Sequence, residues 1–436
     1  MKFGLFVVLN ALLLIRPEEL FPAITGLRLY LSAIALCTLV TLPELIQTLT
    51  LDSLRLRPLS VCVLLYFAST IVSLCVLGRV SEALMDFGPE FAKVILYYFL
   101  LISIVDDASR FRAFVVALLF LIVVLTAIAL AQQFEIASFP NIQPAMQTVV
   151  DAETGEESVI PRLSSSGIFS DPNDLCLMLG MGIWCCIYCG SNSSFGLLGW
   201  AVWLLPIPIF VYAILETHSR GGLLGVIAGG AAYLYSRFGG PKTLPFVAAG
   251  GIATLALVGG RQGGMEGGDT AHQRVMMWAD GLRDLFTRPA FLPTGLGNGW
   301  FVDGYGLVAH NTFVQAYVEQ GIFGGGAFLA AFLCGGWMLD RLGRAWVAPE
   351  WALQARPFAF AILVGYASGC YSITRNLVLP TYLTLGLVSV VLDSATSTLP
   401  EKFRVNRRWF LRLIAFAIGG LAFIKFATQG LGMAGV

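Results

Sequence analysis

The sequence predicts an all-α fold, a polytopic helical membrane protein with about 12–13 transmembrane helices. Three observations predict it. Apolar residues make up 57% of the 436-residue chain and charged residues only 12%, about half the charge density of an ordinary soluble domain. Apolar runs of about twenty residues, the length at which a helix satisfies its own backbone across lipid, recur along the chain. Lys and Arg gather in alternate loops, as expected of segments retained on the cytoplasmic side. The formal net charge is zero, which gives no electrostatic basis for binding nucleic acid.

The first span is expected at 3–15. MKFGLFVVLNALLLIRPEEL has the basic start and short apolar stretch of a secretion signal. It lacks a small-residue cleavage site before Arg16-Pro17-Glu18-Glu19, so a retained helix is expected. Further apolar runs predict spans at 23–46, 59–78, 90–105, 113–133, 173–190, 196–215, 221–237, 243–260, 311–339, 357–373, 377–393 and 409–427. The chain then divides into N-terminal helices at 1–133, a loop subdomain at 134–172, central helices at 173–260, a second long loop at 261–310 and C-terminal helices at 311–436. No internal repeat is evident.

Orientation follows from the basic loops. With the N-terminus inside, Lys2, Arg55, Arg57, Arg110, Arg112, Arg237, Lys242, Arg341, Arg344, Arg356 and the cluster at 402–408 fall on the cytoplasmic side. Glu18, Glu19, Glu82, Asp86 and the acidic run at 151–157 fall opposite. Both long loops and the turns at 218–222 and 372–376 then lie outside. Nucleoside triphosphates are scarce there and no P-loop sequence occurs. Any reaction on that face needs a pre-activated substrate delivered by the membrane.

The polar chemistry is concentrated between Gly263 and Gly321, a segment holding His272 and His310, two of the three histidines. In HQRVMMWADGLRDLF, Arg274 precedes Trp278 by one helical turn. Val275, Met276, Trp278, Leu282, Leu285 and Phe286 give a short amphipathic helix whose apolar side faces lipid or the bundle. On such a helix Arg274 is either a headgroup contact or an anion ligand, and His272 is a candidate second donor. His310 opens the next helix with Asn311 beside it, and histidine is the side chain best suited to exchange a proton near neutral pH. A cap histidine of that kind also serves structure alone. Glu319 lies nine positions on, which by helical phase puts it on the opposite side from His310.

Outside this segment, Arg220 stands where one span ends and the next begins, with Ser219 as a helix cap. A guanidinium beside free helix N–H groups suits an anion such as phosphate, and it equally suits an interfacial arginine reaching for headgroups. Gly221, Gly225 and Gly229 recur every four residues, the pattern of a close-packed helix face in membranes. Asp171, Pro172 and Asn173 in DPND read as a turn and helix cap. The run Gly295-x-Gly297-x-Gly299 follows no strand, which excludes a dinucleotide fold and leaves a tight loop leading toward His310. Cys185, Cys186 and Cys189 have no second ligand pair and read as small residues in a packed helix; Asp280 and Asp284 read as a solvated helix face. No carboxylate or histidine cluster has metal-ligand spacing, so neither metal nor cofactor is expected.

Taken in order, SRGGLLG at 219–225, the Arg-x-x-x-Trp helix at 274–278, GLGNGWF at 295–301 and HNTFVQAYVEQGIFG at 310–324 resemble the O-antigen ligase and O-antigen polymerase family of bacterial membrane glycosyltransferases. GIFSDPNDL at 167–175 resembles the family's Pro-Asn segment, and the likeness covers roughly residues 160–390. The resemblance implies a fold of the lipid-linked glycosyltransferase type in the bacterial inner membrane, with a periplasmic loop subdomain. It implies transfer of a glycan from an undecaprenyl-diphosphate carrier to an acceptor hydroxyl on the periplasmic face, without nucleotide or obligatory metal. Carried onto this chain, it assigns Arg220 and Arg274 to the diphosphate and His310 to the acceptor hydroxyl. Ser219, Asn311, His272 and Asn173 become candidate substrate-binding residues. Ligase and polymerase share that donor site, and a lipid or small-solute transporter is the reading from a different class.

Overall fold

The computed structural model describes residues 1–436 except 25, 140–141, 143–144, 151–156, 195, 240–242, 244–266, 289–295, 345 and 434–436. In chain order its longer helices are α1 (Lys2–Ile15), α2 (Leu29–Thr48), α3 (Pro58–Val76), α4 (Phe87–Ile104), α5 (Ala108–Gln133), α6 (Pro172–Ser191), α7 (Gly196–Leu204) and α8 (Pro206–Glu216). There follow α9 (Arg220–Phe238), α10 (Gly267–Thr287), α11 (Trp300–Tyr305), α12 (Thr312–Arg341), α13 (Glu350–Gly369), α14 (Leu379–Asp393) and α15 (Arg407–Met433). The expected spans fall on these helices, apart from 243–260, which beyond Thr243 lies outside the described residues. Several begin at side-chain caps that satisfy otherwise orphaned backbone N–H groups: Asp107 for α5, Asp171 for α6, Ser219 for α9 and Asn311 for α12. The run expected as one span at 196–215 is interrupted, α7 ending at Leu204 and α8 starting on Pro206.

Among the described residues eight helical stretches are long and apolar enough to cross a membrane: α2, α3, Glu82–Ile104, α5, α6, Gly196–Glu216, α12 and Arg407–Gln429. Two more apolar helices, α1 and α14, are shorter. That is the architecture of a multi-pass helical membrane protein. The loop at 134–172 holds an element the periodicity did not predict, an antiparallel hairpin of β1 (Ala145–Val150) and β2 (Glu157–Arg162), with Ala145 opposite Arg162 and Val150 opposite Glu157.

The chain forms two compact units. Unit 1 comprises Met1–Gln47, Leu100–Met265 and Ala348–Gly369. Its centre is α6, buried along nearly its whole length and packed by α5, α7, α8, α9 and α13. Cys185, Cys186 and Cys189 are buried, unpaired thiols on this helix, as expected of small packing residues. The glycine face of α9 is real but shifted by one position at its start. A Cβ at Gly222 would collide with Cys176 Sγ, and one at Gly225 or Gly229 would lie 2.8 or 2.9 Å from the carbonyl oxygen of Gly365 or Ala361 on α13. Spacing of three and then four residues tracks the 3.6-residue helical period better than a strict four, which is why Gly222 rather than Gly221 belongs to the face. Gly229→Ala is expected to cost about 1–3 kcal/mol through overpacking. Gly230→Ala, whose Cβ would meet only Trp184 at 3.5 Å, should leave thermal melting in detergent unchanged; equal melting of the two variants would refute the close contact.

Unit 2 comprises Thr48–Phe99, Glu266–Val347 and Cys370–Val436. Here α12 is central, packed by α3, α14 and α15, with α10 lying against α12 and α15. A break interrupts α12 at Gly321, whose φ of 72° and ψ of −174° are non-helical. A left-handed φ of this size favours glycine because it carries no Cβ.

Candidate functional site

In unit 1 the start of α9 is held by a polar network around Asn173. The Asn173 side-chain oxygen accepts from Ser219 Oγ at 2.7 Å and from an Arg162 Nη at 3.3 Å. Ser219 Oγ in turn accepts from Gly222 N at 3.1 Å, capping α9. Asn173 N and Nδ2 both donate to Asp171 Oδ1, at 2.8 and 2.9 Å, so the start of α6 is fixed by the same residues. Arg162 Nε donates to the Thr217 carbonyl at 2.8 Å, and Leu163 N donates to the Glu216 carbonyl at 3.0 Å. The end of β2 is thereby stitched to the turn that precedes Arg220. Burial holds the Arg162 guanidinium below its usual basicity. The structure thus brings Asn173 and Ser219 together and uses their polar atoms to fix the two helix starts, while Arg220 opens α9 exposed.

Arg162 was not singled out by motif reading. Its signal was present all the same, since it is the lone basic residue in the acidic loop at 134–172.

In unit 2, α10 buries Val275, Met277, Trp278, Leu282 and Leu285 in a core shared with Phe301, Tyr317, Val318 and Leu421. Of the six residues expected on its apolar side, Met276 and Phe286 are the exceptions and stay exposed. The choice between lipid and bundle is therefore settled for the other four by packing on α12 and α15. Arg274 is half-buried on this helix, and burial lowers its basicity. Among the described residues no carboxylate pairs with it. One turn on, the Trp278 indole N–H donates to the Ala309 carbonyl at 2.6 Å, and its ring meets Tyr371 edge to face at 6.0 Å. Ala309 is the residue before His310, so the helix carrying Arg274 is fastened to the segment carrying the histidine.

His310 adopts a left-handed backbone with φ of 51°, and Asn311 then caps α12 by accepting from Phe313 N and Val314 N, both at 3.1 Å. Asn311 is buried, and this helix-start role accounts for its side-chain oxygen. The turn at 372–376 is tied to the same helix start: Thr312 N donates to the Cys370 carbonyl at 2.8 Å, Thr312 Oγ1 to the Ile373 carbonyl at 2.6 Å, and Arg375 N to Thr312 Oγ1 at 3.0 Å. Arg375 is a second guanidinium-bearing residue anchored beside the histidine segment, and no role was read for it from sequence. His272 lies within α10, but its side chain is outside the described residues.

Three residues behave differently from expectation. Asp284 accepts from the Trp300 indole at 3.0 Å and Asp280 from the Tyr305 hydroxyl at 2.6 Å. They hold α11 against α10 rather than simply facing solvent, and the Asp280 bond pushes the Tyr305 phenol up to about 12. Glu319 is fully buried, and its Oε1 accepts from Gly299 N at 3.0 Å. It is therefore joined to the glycine loop that leads to His310. The helical-phase argument against it fails because His310 precedes the cap and is not in the helix.

Among the described residues no group of three His, Cys, Asp or Glu side chains is placed to hold a metal ion. What unit 2 offers is a half-buried cation, a half-exposed imidazole and a hydrogen bond that fastens the helix carrying the first to the segment carrying the second. No known family model matches the chain, and no curated protein matches it.

Proposed function

We propose that the protein is a membrane glycosyltransferase of the O-antigen ligase type, moving a glycan from an undecaprenyl-diphosphate-linked donor to an acceptor hydroxyl on the periplasmic face of a bacterial inner membrane. The observation that carries this reading is the fastening of Arg274's helix to His310's segment through the Trp278–Ala309 bond. The chemistry follows from those two groups. The acceptor oxygen attacks the anomeric carbon as the bond from that carbon to the diphosphate breaks. The diphosphate leaves with both bonding electrons, and the hydroxyl proton passes to the His310 imidazole. A half-buried guanidinium, with no carboxylate paired to it among the described residues, stabilises the departing anion as a metal ion otherwise would. A single displacement inverts the anomeric configuration. The resemblance also gives Arg220, at the start of α9, a diphosphate-binding role. A polymerase that extends repeat units on the carrier uses the same chemistry with a different acceptor.

A transporter is favoured by one observation, a fully buried carboxyl at Glu319 two residues before the break in α12. Against it, that carboxyl is bonded to loop backbone at Gly299. Purified protein in liposomes, supplied with undecaprenyl-diphosphate-linked glycan and acceptor, separates the readings. Glycan transfer supports the enzyme, and uptake without transfer replaces it with transport. Because the guanidinium supplies the charge, transfer is expected to persist in EDTA; complete loss that added divalent metal restores would contradict this mechanism.

A further inference from the structure

We infer that Glu319 is a positioning residue that holds the loop presenting His310, an inference that rests on the role given to His310 above. The break at Gly321 releases the Val318 and Glu319 carbonyls, which an unbroken helix would engage four residues on. Both are taken up by the loop: Leu296 N donates to Val318 O at 3.1 Å and Gly297 N to Glu319 O at 2.9 Å. Ser73 Oγ from α3 closes the same junction, donating to Glu319 O at 2.9 Å and accepting from Gly297 N at 3.2 Å. Gly297 has φ of 82°, and a Cβ there would lie 2.6 Å from Leu77, so the loop passes close against α3.

The Glu319 side chain then reaches both ends of the loop. Its Oε1 takes Gly299 N at 3.0 Å. Gln315, one turn earlier, hydrogen-bonds the Glu319 carboxyl and accepts from Ala309 N at 2.9 Å. Residues 299 and 309 are thus tied to one carboxyl, directly at one end and through one amide at the other. Glu319 has no exposed surface, and its Oε2 has no partner among the described residues. Burying a carboxyl with one such oxygen is costly, and the bond from Gly299 N offsets part of that cost while fixing the loop.

The test is hydrogen–deuterium exchange of the peptide covering 296–311 in the full-length purified protein, read beside kcat and KM for transfer. Glu319→Ala should raise deuterium uptake across that peptide and lower kcat by up to about a hundredfold, the penalty for misplacing a reacting group. KM for the lipid-linked donor should be little changed. Glu319→Gln, which keeps an acceptor for Gly299 N, should restore most of the protection and part of kcat. If Glu319→Ala does not fold, Gln315→Leu removes the Ala309 tether, together with the Thr374 hydroxyl bond to the same amide oxygen, keeps the Glu319–Gly299 bond, and should raise uptake at the 309 end. Unchanged uptake in a folded variant, or raised uptake with unchanged turnover, overturns the inference. His310→Asn distinguishes the two readings: full activity there refutes the histidine's role whatever the exchange shows, and inactivity with unchanged exchange in Glu319→Ala refutes only the clamp.

Discussion

Arg274→Ala is expected to reduce glycan transfer by about 100- to 1,000-fold, the range lost when one preorganised charge partner of a developing anion is removed. The size follows from the setting. A half-buried guanidinium, with no carboxylate paired to it among the described residues, meets an anion in a medium of lower effective dielectric than water. Its whole electrostatic contribution is then available to the leaving diphosphate. Arg274→Lys should recover only part of the rate, because a point charge replaces a planar fork that can bond two phosphate oxygens. Trp278 and the buried face of α10 remain in both variants, so insertion and thermal melting should match the parent. Transfer at the parent rate in Arg274→Ala would remove the diphosphate assignment. Arg220→Ala carries the same expectation through the family resemblance.

His310→Asn is expected to lower kcat by about 100- to 10,000-fold, the usual range for loss of a general base. KM for the donor should stay near its parent value. Asparagine is the informative substitute because His310 has a φ of 51°, a left-handed conformation that Asn tolerates better than Ala. A His310→Ala defect would mix lost proton transfer with backbone strain at the entry to α12. A raised KM at constant kcat would instead place the imidazole on the donor.

Most of the helices could be read directly, since apolar runs of membrane-spanning length leave the backbone little alternative. The apolar side of α10 was also legible from the spacing of Val275, Trp278, Leu282 and Leu285. What covers that side was not, because a periodic pattern identifies a face and says nothing of its neighbour. The same limit applies to Gly225 and Gly229, whose spacing announced close approach without naming α13. Glu319 was placed away from His310 by counting helical turns through a residue that is not helical. Arg162 and Asn173 illustrate a different gap: their bond joins residues in a hairpin and a helix, and no local spacing rule encodes it.

The discontinuity at Gly321 has one more implication. Two carbonyls that would have served the rod instead anchor an irregular strip of chain, so that strip inherits the stiffness of the bundle without any regular structure of its own. Any side chain at 321 would strain this backbone and favour the uninterrupted rod, returning those acceptors to it and setting the strip adrift.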